Sequence, residues 1–365
     1  MFEIFYFNLT ALQIAAGKNH SDIVDLLISQ PEIEIGESYF KGNLKIKKIR
    51  IPVSITKIKS YVFSRCTSLN QVSLPSTLKI IKSFAFEGCF SLSEISIPSS
   101  VTSIGKSAFE NCFSLRKVSL PSSIQCIEDK TFNRCKKIVE ITIPDSVTSI
   151  GISSFANCIS LTKISFSSNV KKIGNFAFSL CESLIEFPPN SILNQRGVYM
   201  MCSSLKKVKI PPTTTSIGLA CFSKCTSLEE VEIPSSVIRI QDKAFFDCSS
   251  LKKIVIPFSV ILIGISGFEN CSSLTSVEFG KYSSLESIRD RTFFGCKSLT
   301  KIVFPKSIKK IGSFVLGDCP SLEEIIYYRK TEIIESSFPS GVKIQKGHKK
   351  KKKSILHYYF HGCDE

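Results

Sequence analysis

Twelve of the fifteen cysteines in this chain of 365 residues fall on a fixed beat, at positions 66, 89, 112, 135, 158, 181, 202, 225, 248, 271, 296 and 319. Nine of the eleven steps are 23 residues, one is 21 and one is 25. A fixed period of this size marks an array of small units, each too small to bury its own apolar face, so that neighbours must do it. Such a stack grows by repetition and escapes the size limits of a single globular core.

Aligning the chain on these cysteines exposes the whole unit. A leucine or isoleucine stands three residues after each Cys, as at Leu69, Leu92, Leu115 and Ile138. Apolar residues follow at plus three and plus five, then usually proline, as in Leu92-x-x-Ile95-x-Ile97-Pro98. Alternation at period two makes this segment a short strand with one face inward. Proline lacks the amide hydrogen that a ladder needs, so it ends the strand and starts a corner. The second half reads Val101-x-x-Ile104-Gly105-x-x-Ala108-Phe109-x-x-Cys112. The glycine is expected to turn a second corner through unusual backbone angles. Phe recurs three residues before Cys at 63, 86, 109, 132, 155, 178, 222, 245, 268 and 293, with Tyr199 and Leu316 in the two exceptions. Stacked, these rings would make a continuous spine.

The repeated motif Leu-x-x-Ile-x-Ile-Pro-x-Ser-Val-x-x-Ile-Gly-x-x-Ala-Phe-x-x-Cys-x-Ser-Leu resembles the BspA-type leucine-rich repeat. The resemblance implies a β-rich solenoid over residues 44–344, of about twelve units, with a parallel sheet on its concave face. The stretch from Pro188 to Cys202 is two residues short and lacks the Ile-Gly and Ala-Phe pairs, which predicts a local irregularity. Residues 1–36 hold a different pattern. Thr10-Ala11-Leu12-Gln13-Ile14-Ala15 resembles the opening of an ankyrin repeat. That resemblance implies two short antiparallel helices near 11–18 and 21–29, either capping the solenoid or ending a longer ankyrin array.

Chemistry-bearing patterns are sparse. The four histidines, His20, His348, His357 and His361, all lie outside the repeats, so no Ser-His or Cys-His pair is expected within them. Gly105-Lys106-Ser107 imitates the end of a phosphate-binding loop, but Ser100 stands where that loop needs glycine. Each phased cysteine is alone in its unit, unlike the clustered spacings of metal sites. The column is therefore read as a ladder of buried thiols behaving as small hydrophobes, with Cys221 buried beside it. Cys126 and Cys363 fall out of phase and are expected to be exposed. His357-x3-His361-x-Cys363 offers weak metal-ligand spacing in a segment crowded by lysines. No catalytic residue, cofactor or small-molecule substrate is expected.

The formal net charge is +16, which points to anionic partners. Seven lysines and no acid lie between Lys343 and Lys353, leaving the body, on this reading, mildly basic. Residues 345–365 read as a basic tail, and the run from Lys349 to Lys353 could meet an anionic surface or serve as an import signal. No stretch of about 18 apolar residues is present, and the first nine residues make a poor secretion signal, which suggests a cytoplasmic chain. The family resemblance implies the cell surface instead.

The outward strand position runs Glu94, Lys117, Glu140, Lys163, Glu186, Lys207, Glu230, Lys253, Ser276, Lys301, Glu324. Alternating signs about 4.8 Å apart make a cross-strand ladder. It either keeps the sheet face soluble and free of like-charge repulsion or forms the recognition face. The resemblance implies a non-enzymatic adhesion module that binds host matrix or cell-surface proteins. The unpaired thiols favour an intracellular protein-interaction scaffold.

Overall fold

The computed structural model describes residues 14–16, 18, 20, 22, 24, 35–328 and 331–347. Most repeats contribute two short parallel strands. The longer one buries its middle residue and exposes its first and third, as in Glu94–Ser96, where Ile95 points inward. The shorter one, such as Ser103–Ile104, buries its second residue. Register is one repeat per strand: Glu94 opposes Lys117 on the long side, and Ile81 opposes Ile104 on the short side. The alternation read from the sequence therefore fixes which face turns inward.

Two residues per repeat adopt left-handed backbone, five and one positions before each cysteine, for example Ser107 at φ 54° and Asn111 at φ 61°. Such angles disfavour most side chains. From Tyr61 to Phe314 these paired left-handed residues donate their N–H to the following repeat, as Ser107 does to the Asp129 carbonyl at 2.9 Å and Asn111 to the Asn133 carbonyl at 2.8 Å. Stacking thus offsets the local strain. The Ile-Gly glycines were expected to supply the unusual angles, but Gly105 and Gly151 do not lie in the left-handed region. They are glycines because the chains approach closely there. A Cβ on Gly105 would come within 2.5 Å of the Ser83 nitrogen, and one on Gly151 equally close to that of Asp129.

The core is a single stack. Rings of Phe40, Phe63, Phe86, Phe109, Phe132, Phe155, Phe178, Tyr199, Phe222, Phe245, Phe268 and Phe293 follow one another at centroid distances of 5.1–5.9 Å. Their planes are nearly parallel, an offset-stacked arrangement that adds to the burial of large apolar surface. Beside the rings runs the thiol column. Each phased Cys donates its S–H to the carbonyl of the spine aromatic one repeat back, from Cys66 to Phe40 at 3.0 Å through Cys319 to Phe293 at 3.3 Å. The same carbonyl accepts the N–H of its own repeat's Cys, as Phe63 does from Cys66. Burial pushes these thiols up, to about 12 for Cys158 and Cys225. Cys221 is buried as well. Cys126, expected to be exposed, is half-buried in the short strand Cys126–Ile127, where its S–H reaches Glu128 at 3.2 Å. Cys363 lies outside the described residues.

The stretch from 184 to 196 forms neither strand. Pro188 and Pro189 lack amide hydrogens, so no ladder can run through them. Tyr199 takes the spine position here, and its hydroxyl must find a partner in the core. Ser191 provides it, with the two oxygens 2.6 Å apart. Of the helices read near 11–18 and 21–29, residues 14–16, 22 and 24 are helical, and Ala15, Ala16 and Val24 are buried. The rest of that segment lies outside the described residues.

Replacing Phe132 by Ala, in the middle of the spine, should cost about 3–5 kcal/mol in chemical denaturation, and Phe132→Leu clearly less. Alkylation of the native protein at pH 8 should spare Cys221 and all twelve column thiols, then modify all of them in guanidinium. Stoichiometric native labelling of a column peptide, read by mass spectrometry, would contradict the buried ladder.

Candidate interaction face

The long strands present one outward row of charge, because period-two alternation sends their first residue to solvent whenever the second is buried. Glu94, Lys117, Glu140, Lys163, Lys207, Glu230, Lys253 and Lys301 are exposed at the head of their strands, Glu324 is half-buried, and Glu186 is exposed in the strandless unit. Register places Lys163 opposite Glu140, Lys207 opposite Glu230 and Lys301 opposite Glu324.

The two ends of this row differ. From Lys163 onward the charges close on one another. Lys163 meets Glu186 at 3.1 Å, Lys207 meets Glu230 at 2.8 Å, and Lys301 meets Glu324 at 2.5 Å. Lys253, whose register partner is the neutral Ser276, reaches Glu278 in the next outward row at 2.7 Å. The hydrogen bond from Lys301 holds the Glu324 carboxyl below the usual carboxylate range, and the bond to Glu230 raises Lys207. Towards the amino end, no ion pair among the described residues joins Glu94 to Lys117 or Glu140 to Lys163. The neighbouring outward row there is a run of hydroxyls, Ser73, Ser96, Ser119, Thr142 and Ser165, all exposed. After the irregular unit the same row becomes Lys209, Glu232, Val255, Glu278 and Val303. Between the two halves a shallow groove opens, lined by Phe187, Pro189, Lys209, Pro211, Pro212 and Glu232.

The other sequence candidates fall apart as sites. His20 is exposed, far along the chain from the strand face, and the remaining histidines lie outside the described residues. In Gly105-Lys106-Ser107 the glycine sits against the preceding repeat and Ser107 is buried, so the three do not form a cradle. Among the described residues, no group of three or more His, Cys, Asp or Glu is placed to hold a metal ion, and no helix is long and apolar enough to cross a membrane. One unit escaped the cysteine alignment. Phe40 heads the spine, and Asn43, one period before Cys66, takes the column position, its side-chain oxygen accepting from the Lys45 and Ile46 amides at 2.9 and 3.0 Å. A search for Phe three residues before Asn would have found it.

Residues 33–151, 125–252 and 239–365 match the family described as BspA type Leucine rich repeat region (6 copies). That match begins at residue 33, beyond the helices read near 11–18 and 21–29, and gives the ankyrin-like repeat no support. A comparison with curated proteins gave no match. Among solved structures, a leucine-rich repeat protein from Bacteroides ovatus is 32% identical, with a TM-score of 0.77 over 86% of this chain and 81% of its own. A leucine rich cell surface protein from Faecalibacterium prausnitzii is 25% identical, with a TM-score of 0.51 over 84% of each chain. The pneumococcal vaccine antigen PcpA shares the fold at 23% identity and a TM-score of 0.50, over 82% of this chain and 73% of its own. With its repeats matched from residue 33 to residue 365, this chain belongs to the BspA type leucine-rich repeat family.

Proposed function

We propose that the chain is a non-enzymatic adhesion module that binds matrix or cell-surface proteins through the outward face of its long strands. The observation that carries this reading is the row from Glu94 to Glu324, a charged face held in strand register by a rigid core. Leucine-rich repeat proteins generally bind proteins, and solenoids do so along such extended surfaces. The likeness to a leucine rich cell surface protein supports a surface role. The thirteen buried free thiols favour a second reading, an intracellular interaction scaffold, because unpaired thiols suit a reducing compartment. Of residues 345–365, read as a basic tail, Gln345 to Gly347 instead belong to the strand Lys343–Gly347, which pairs with Glu324–Tyr328. The helical cap read for residues 1–36 and the lysines from Lys349 to Lys353, read as an anionic-surface contact, are no part of this proposal.

Substituting Glu140, Lys163, Glu186 and Lys207 together by Ser should weaken saturable binding to immobilised basement-membrane extract by roughly tenfold or more, as loss of a clustered contact does. The thermal midpoint should barely move, since all four are exposed. Equal binding by the variant, or no binding by the parent chain, would contradict the adhesion reading. Labelling intact against permeabilised cells separates the two readings.

A further inference from the structure

The charge surplus is not spread evenly over the folded body. Ten of the 47 basic residues and none of the 31 acidic ones lie between 38 and 86. Seven more basic residues and no acid lie between 343 and 353, and the remaining 30 basic and 31 acidic residues cancel. The body is thus close to neutral except at its amino-terminal end, where the sequence reading had it mildly basic throughout.

Four of the ten basic residues between 38 and 86, Lys57, Lys59, Lys79 and Lys82, lie along the short-strand side, and Lys106 continues them into the next unit. Lys57 opens the strand Lys57–Ile58, Lys79 and Lys82 flank Ile80–Ile81, and Lys106 follows Ser103–Ile104 by two residues. These three strands pair side by side, with Ile58, Ile81 and Ile104 in register and buried. Lys57, Lys79, Lys82 and Lys106 are exposed, and none of the four makes an ion pair with a described residue. The strip ends at the next unit. Glu128 and Asp129 stand there, and the Asp129 carboxylate accepts the Ile152 amide at 2.7 Å. Farther along, Lys309 occupies the place of Lys79 and closes on Glu286 at 2.8 Å. Lys172 and Lys310 are exposed without an ion pair to a described residue as well, but only in the amino-terminal units do such lysines recur on three successive short strands.

We propose that Lys57, Lys79, Lys82 and Lys106 form a binding strip for a sulfated polysaccharide. Three strands about 4.8 Å apart span about 10 Å, a short track suited to a few closely spaced anionic groups. Unneutralised like charges held on a rigid sheet attract a polyanion without having to be ordered first. Residues 56–59, 79–82 and 102–106 include no aromatic on which bases could stack and no arginine fork for phosphate. They also include no exposed large apolar side chain to anchor in a bilayer. The chemistry that remains is charge against charge along a chain.

The test uses the full chain with Lys349 to Lys353 changed to Ser, so that the tail cannot bind, and a size-defined heparin oligosaccharide as the probe. Calorimetric titration should show binding that weakens steeply with added salt. Adding Lys57→Ser, Lys79→Ser, Lys82→Ser and Lys106→Ser should lower affinity at least about tenfold, since each lysine on an anionic surface contributes measurably. The far-UV spectrum and thermal midpoint of both proteins should agree, which separates lost contacts from lost folding. Equal affinity of the two proteins overturns the proposal. So does tighter binding of the parent to duplex DNA or to phosphatidylserine vesicles than to heparin. Binding at the short-strand lysines is independent of the long-strand face, so the proposed adhesion role can fail while this one stands.

Discussion

The carbonyl of each spine aromatic is where one repeat is tied to the next. Phe63 shows the arrangement. Its ring lies between those of Phe40 and Phe86, its N–H goes to the Ala85 carbonyl at 2.8 Å, and its own carbonyl accepts from the Cys66 amide and the Cys89 thiol. An unpaired backbone carbonyl in such a core would carry a desolvation cost, and the thiol is small enough to serve without disturbing the stack. The cysteine column is therefore a structural device first. A group held as an undissociated thiol, donating to a carbonyl, is poorly placed for nucleophilic or metal chemistry.

Everything outward depends on this tie. Fixing the rings fixes the strands, and fixing the strands decides which residues reach solvent. The long-strand face consequently carries rows of side chains whose spacing is set by the backbone. Where the spine accepts Tyr199, the flanking segment reorganises around its hydroxyl, and the outward rows change character on either side of that unit. The hydroxyl row and the unpaired Glu94, Lys117 and Glu140 lie on one side, the Lys163–Glu186 pair bridges into the irregular unit, and the other closed ion pairs of the row lie beyond it. Exposed ion pairs contribute little to stability, so this change of character bears on recognition more than on folding.

Much of the fold could be read from the chain because its determinants are local and repeated. The Cys and Phe columns, the period-two strand and the short irregular unit each leave a mark at a fixed offset. Other features depend on contacts across repeats and were misread or missed. The Ile-Gly glycines answer to the backbone of the preceding unit, not to their own angles. The left-handed positions carry residues as varied as Ser107, Lys130 and Phe176 because hydrogen bonds to the next repeat hold them there. A weak signal existed one residue before Cys, where Gly88, Asn111, Asn157, Asp247, Asn270, Gly295 and Asp318 stand. Cys126 gave a mixed signal, since its position in other units is filled by Lys57, Ser149 or Arg239 but also by the half-buried Ile80 and Leu262. The face rows were visible in the chain, but their division into paired and unpaired halves required the side-chain geometry.

Amide hydrogen exchange on the free protein tests the central claim, that each unit is held by its neighbours through the spine, most directly. Protection should be high and similar at the amides of Phe63, Phe86, Phe109, Phe132 and Phe155, each of which donates to the following repeat. It should fall to a minimum within the array at residues 185–196, where both ladders are interrupted. Fast exchange at the spine amides, or protection in 185–196 equal to that of the flanking units, would contradict the account.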